Sequence, residues 1–121
     1  MDELDDSYFA VLRARIPGAE QLTHCEVSRG DWRPKPGECH ANVDFWALHD
    51  PKYRVVRGWL VCNPYVLNAH SVLESPEGVL CDITPPTPND ERRSMRFVRH
   101  TGTEEEYTVL RTRWAQYLYL D

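Results

Sequence analysis

The sequence predicts an α+β fold in one domain, residues 1–121, in which a helix starting at Cys39 packs on an antiparallel β-sheet between N- and C-terminal helices. Three observations carry this. Apolar residues recur at helical spacing near both ends of the chain and again from Cys39 to Leu48. Three runs with β-strand character follow one another between Tyr53 and Thr84. The 121 residues suit one ordinary domain, and no repeat, low-complexity tract or linker divides them.

The first element is an amphipathic helix over Ser7 to Ile16, with Tyr8 or Phe9, Leu12 and Ile16 on one side and Pro17-Gly18 ending it. Residues 19–38 hold Gly30, Pro34, Pro36 and Gly37 and no sustained period, which predicts a loop with a short strand near Cys25 to Val27. From Cys39 to Leu48, the residues Cys39, Val43, Trp46 and Ala47 fall at i, i+4, i+7 and i+8, and His49-Asp50-Pro51 closes a helix of about ten residues.

Strands are then predicted over Tyr53 to Cys62, Asn68 to Glu74 and Val79 to Thr84, connected as a meander. Ser75-Pro76-Glu77-Gly78 suits a three-residue hairpin with Gly78 in the left-handed region. That turn sets Ser75 opposite Val79 and Val72 opposite Asp82, so His70 and Asp82 become diagonal neighbours on one sheet face. A slip of one residue would separate them. Pro85, Pro86 and Pro88 break the sheet, and Met95 to His100 forms a further strand. Thr103-Glu104-Glu105-Glu106 is a capping-box start to a last helix with Tyr107, Leu110, Trp114 and Leu118 turned inward.

Charge narrows the functional classes. Nineteen acidic against fourteen basic side chains give a net charge of -5, which disfavours non-specific hold on nucleic acid or anionic lipid. The densest basic stretch, Glu91 to His100, reads as a solvated edge strand. No apolar run approaches the roughly 20 residues of a membrane span, and the acidic start from Met1 to Asp6 leads into no signal-like apolar segment, so a cytoplasmic location is expected. The four cysteines are widely spaced with no CxxC, which argues against a disulfide framework, and Cys62 and Cys81 read as small buried hydrophobes. With no Gly-rich phosphate loop, dinucleotide fingerprint or HExxH, no cofactor is expected.

Cys39 stands apart. A cysteine in the first turn of a helix feels the positive end of the helix dipole, which favours the nucleophilic thiolate. His70 is the candidate base and Asp82 the candidate group that orients it. His40, about a hundred degrees further round the helix, points away from the thiol and reads as a surface residue. Asn42 lies on the same helix side as Cys39 and suits either a brace for that region or an oxyanion donor. Trp32 and Asn68 are further oxyanion candidates, and Trp32 and Trp59 are candidate cleft walls.

The segments Cys39-His40-Ala41-Asn42-Val43, Arg57-Gly58-Trp59-Leu60-Val61, Ala69-His70-Ser71-Val72-Leu73-Glu74 and Gly78-Val79-Leu80-Cys81-Asp82-Ile83-Thr84-Pro85 resemble a compact group of bacterial proteins related to papain-like and transglutaminase-like cysteine enzymes. The resemblance covers residues 32–85. It implies a Cys at a helix N-terminus meeting His and Asp on adjacent strands, in the chain order Cys39, His70, Asp82. It also implies the Cys39 backbone N–H as one oxyanion donor. Papain-like enzymes commonly carry a Gln a few residues before the nucleophile, whereas here Gln21 is 18 positions upstream.

The expected function is a thiol-dependent hydrolase or acyl-transfer enzyme, of peptidase, deamidase or amidase type, whose partner is a peptide, protein or small amide substrate. Two alternatives compete with it. One is a non-catalytic interaction domain on the same framework, binding through the acidic N-terminus or the Arg92 to Arg99 segment. The other is a zinc site drawn from His24-Cys25 and Cys39-His40 with His70, although its spacing is unlike the short ligand pairs of structural zinc.

Overall fold

The computed structural model describes residues 3–87, 91 and 94–120. Met1, Asp2, Pro88, Arg92 and Arg93, which entered the readings of the acidic start, the sheet break and the basic stretch, lie outside them. Helix α1 (Glu3–Arg15) runs into a short 3-10 turn (Ile16–Gly18). Strand β1 (Thr23–His24) and helix α2 (Cys39–His49) follow, then β2 (Arg54–Asn63), β3 (Val66–Glu74), β4 (Leu80–Asp82) and β5 (Phe97–Arg99). Helix α3 (Glu104–Arg113) and strand β6 (Tyr117–Tyr119) complete the chain. The result is a mixed α+β fold with three α-helices and a six-stranded sheet among the described residues. None of the described helices is long and apolar enough to cross a membrane.

The sheet order is β1-β4-β3-β2-β5, with β6 also pairing with β3. All pairs are antiparallel except β1 with β4. Glu20 and Phe97 exchange backbone hydrogen bonds of 2.8 Å, and Cys25 N–H donates to Asp82 O at 3.0 Å. The short segment around β1 thus bridges β5 to β4 and curls the sheet on itself. The inner face holds Leu22, Leu60, Val72, Leu80 and Phe97. On the outer face α1 and α3 bury Phe9, Leu12, Tyr107 and Leu110 against Trp59, Ala69 and Val98, while α2 lays Val43 against Leu73 and Cys81.

The Ser75–Gly78 turn sets the register that matters for the site. Ser75 N–H donates to Val79 O at 2.9 Å, Gly78 takes φ 84°, and Leu73 pairs with Cys81. This is the alignment that places Val72 opposite Asp82. The capping box of α3 is present as well, with the Thr103 side chain accepting from Glu106 N–H and the Glu106 side chain accepting from Thr103 N–H.

Two expectations need correction. The short strand lies at Thr23–His24 rather than 25–27, because its parallel pairing with Cys81 and Asp82 ends there. The last helix stops at Arg113, and Leu118 belongs to a strand instead. Ala115 and Gln116 take φ 52° and 72°, which turns the chain sharply and lets Tyr117–Tyr119 pair with the start of β3. Neither residue is a glycine, so nothing in the local sequence announces the turn.

Candidate functional site

Strand β2 occupies one side of β3 along its whole length, so β4 and β6 must share the other. β4 pairs with Leu73 and Glu74, and β6 with Val66 to Asn68. Between them residues 70–72 of β3 face an opening in the sheet, and the first turn of α2 is tied to it from three sides. Asn42 Nδ2 donates to Thr84 Oγ1, just beyond β4, at 3.0 Å. His40 Nε2 meets Gln116 Oε1, just before β6, at 3.2 Å. His40 Nδ1 meets Ser71 Oγ, within the opening, at 2.6 Å.

Cys39 is the first residue of this helix and is nearly buried. The first intrahelical bond runs from Asn42 N–H to Glu38 O at 2.9 Å, so the N–H groups of Cys39, His40 and Ala41 precede the helical ladder. Glu38 places no side-chain cap over them. Oriented N–H groups beside a thiol are the kind of donors that hold a developing oxyanion.

His70 is fully enclosed, and its Nε2 lies 2.9 Å from Asp82 Oδ2. Asp82 is itself fixed, with Oδ1 accepting from Thr84 N–H at 3.2 Å, and His24 Nδ1 lies 3.7 Å from Oδ2. Among the described residues His70 Nδ1 has no hydrogen-bond partner. Cys39 and His70 perturb one another electrostatically. Burial alone would raise the Cys39 pKa, but the neighbouring imidazoles of His40 and His70 override it and bring the thiol down to about 5. Burial would likewise lower His70, yet the Asp82 hydrogen bond and then Cys39 hold it up at about 9. A lowered thiol and a raised imidazole both favour the thiolate–imidazolium form, the state in which a cysteine is a ready nucleophile.

The other candidates separate clearly. Asn42 is a brace. Its amide donates to Lys35 O at 2.9 Å and to Thr84 Oγ1, while its Oδ1 accepts from Lys35 N–H at 3.0 Å, so both amide hydrogens are committed and it is no oxyanion donor. Trp59 is fully buried in the core and donates to Tyr8 Oη at 2.7 Å, so it walls no cleft. Trp32 stacks on Phe45 at 4.1 Å, about 9 Å along the helix axis from Cys39, and packs there rather than at the thiol. Asn68 lies on the same face of β3 as His70, two residues away, and spends one amide hydrogen on Gln116 O at 3.3 Å. It keeps a second hydrogen for an oxyanion.

Sequence reasoning missed His40. It is half-buried, engaged at both ring nitrogens and coupled to Cys39, not a surface residue. Helical geometry alone turns it away from the thiol, whereas its partners come from β3 and from the turn before β6. The zinc alternative finds no donor set, since among the described residues no three His, Cys, Asp or Glu side chains gather as a metal ion would require.

A cleft of about 680 Å³ opens beside the acid end of the site, lined by His24, Cys25, Arg33, Asp82, Thr84 and Pro85 among others. Comparison with known proteins returns no matching family model, no matching curated protein and no matching solved structure.

Proposed function

We propose that this protein is a thiol-dependent hydrolase or acyl-transfer enzyme acting on an amide or ester bond. The observation that carries the reading is the enclosed His70, which leans on Asp82 through Nε2 and keeps Nδ1 unpartnered beside a thiol lowered to about 5 at a helix N-terminus. A merely structural histidine would spend both ring nitrogens. The helix-borne Cys, the strand-borne His and Asp, and their chain order also favour a papain-like framework.

In this reading the Cys39 thiolate attacks the substrate carbonyl carbon and a tetrahedral oxyanion forms against the Cys39 N–H, with Asn68 as second donor. Nδ1–H of the His70 imidazolium passes its proton to the leaving amine or alcohol as the carbonyl re-forms and the C–N or C–O bond breaks. The neutral imidazole then takes a proton from water or from an acceptor amine, which attacks the thioester and releases the thiolate. Asp82 holds Nε2–H and stabilises the imidazolium throughout.

The test is the pH dependence of iodoacetamide alkylation, read by mass spectrometry at each cysteine, in the parent and in His70→Ala. The expected result is fast modification of Cys39 with an acid midpoint near 5, rising toward the ordinary thiol range in the variant. Turnover on an ester or amide panel should then climb through about 5 and decline through about 9, where His70 loses its proton. A Cys39 midpoint indifferent to His70 sinks the assignment.

One observation favours a second reading, an interaction domain on the same framework. Cys39 is only 7% exposed and His70 not at all, and neither lines the cleft beside Asp82. In that case Cys39 in the folded chain would alkylate far more slowly at pH 7 than in the urea-unfolded chain.

A further inference from the structure

The proposed reaction uses one imidazole, yet Cys39 has two beside it. His70 keeps a nitrogen without a partner, while His40 keeps none: Nδ1 is on Ser71 Oγ and Nε2 on Gln116 Oε1. These partners are themselves held. Ser71 is fully buried and accepts from Arg57 Nη1 at 3.0 Å, and Arg57 is held in turn by Asp44 at 2.7 Å and by Glu104 at 3.0 Å. Gln116 Nε2 donates to Arg111 O at 3.4 Å, which turns Oε1 toward His40. The Tyr107 ring closes over the His40 imidazole at 6.0 Å, edge to face.

Gln116 adds a second, independent observation. It sits at φ 72°, in the left-handed region that a non-glycine residue enters at a cost of about 1 kcal/mol or more. A glycine would hold that turn more easily. Glutamine there delivers an amide to His40 and so joins the rim of the opening to the first turn of α2.

We propose that His40 is a positioning residue for Cys39: clamped between Ser71 and Gln116, it holds the first turn of α2 in the sheet opening, while His70 alone carries the reaction proton. The division of labour follows from the hydrogen bonds. A ring with both nitrogens engaged cannot take up and return a proton without breaking its own clamp, whereas His70 Nδ1 faces no such obstacle. The charged and titratable groups around the pair are His70 with Asp82, Arg57 with Asp44 and Glu104, and Tyr107.

This inference rests on the thiol–imidazole reading, and the experiment separates the two. His40→Gln, Gln116→Gly and His70→Ala are compared with the parent by the pH profile of Cys39 alkylation, by turnover on any ester found to be a substrate, and by thermal unfolding. His40→Gln should raise the acid midpoint by about one pH unit, about tenfold less thiolate on the acid side, and leave the alkaline limb of turnover in place. His70→Ala should remove that limb.

Gln116→Gly is the decisive variant. It relieves the left-handed backbone, so the protein should unfold at the same or a higher temperature, yet the midpoint should still rise because His40 loses one anchor. Unchanged midpoints in both His40→Gln and Gln116→Gly overturn the proposal even if His70→Ala behaves as expected. A parent Cys39 that reacts like an ordinary thiol overturns the underlying reading instead.

Discussion

Cys39 and Cys81 are hidden to nearly the same degree, 7% and 9% exposed, yet their thiols move in opposite directions, to about 5 and to about 11. Burial pushes both upward. What separates them is the company each keeps. Cys81 packs among Val43, Leu73 and Ile83, and its polar neighbours are another thiol, Cys25, the Val79 carbonyl and the Glu77 carboxylate. None of these stabilises a negative charge. Cys39 stands at the start of a helix between two imidazoles, one of them backed by a carboxylate. Desolvation therefore does not make a cysteine reactive or inert by itself; it amplifies whatever partners remain when water has gone.

The largest expected effect is the contrast itself. At pH 7 the lowered Cys39 favours the thiolate and the raised Cys81 the neutral thiol. Alkylation followed residue by residue should show a rate gap of at least a hundredfold. Comparable rates would break the comparison at its root.

Next in size is His70→Ala, expected to lower turnover by about 10²–10⁴-fold and to slow alkylation of Cys39 below pH 7 while leaving Cys81 unchanged. Faster alkylation of Cys81 in the variant would mean that the fold, and not only the imidazole, had been lost. Asp82→Ala sharpens the comparison from the strand side, since Asp82 follows Cys81 in sequence but serves His70. Leaving the buried imidazolium unpaired should cost about 3 kcal/mol by urea unfolding at pH 6. The folded pKa of His70, about 9, lies above its ordinary 6.5, so its stabilising contribution is complete below 6.5 and is lost as pH rises through about 9. The cost of Asp82→Ala should shrink accordingly between pH 6 and pH 9.5; a constant cost would show that His70 is not charged in the folded protein. The smallest effect belongs to Cys81→Ala, about 1 kcal/mol from lost packing, with turnover unchanged when assayed beside the parent.

The half of this comparison that was legible in the sequence is the half written in short-range rules. The spacing of Cys39, Val43, Trp46 and Ala47 gave the helix and its start, and the Ser75–Gly78 turn gave the register that brings His70 to Asp82. Both follow from neighbours along the chain. The rest depends on pairings that no local pattern encodes. Leu118 continued the helical period of Tyr107, Leu110 and Trp114, but the chain reverses at Ala115 and Gln116 because the start of β3 offers an edge to pair with. Misreading that turn also hid Gln116, and with it one of the two partners that make His40 part of the site. Trp59 misled for a related reason: an aromatic near the motif residues proved to point at α1 and Tyr8 on the outer face.

The opening between β4 and β6 has a consequence for solubility. A strand edge without a neighbour is a template on which another chain can pair, and proteins commonly guard such edges with bulges, charges or a covering element. Here the guard is the first turn of α2, fastened by Asn42 to Thr84 and by His40 to Ser71 and Gln116. The same contacts that set the thiol in place also cover residues 70–72 of β3 against pairing with a second molecule. A lesion in this turn would therefore uncover a strand edge as well as displace the thiol.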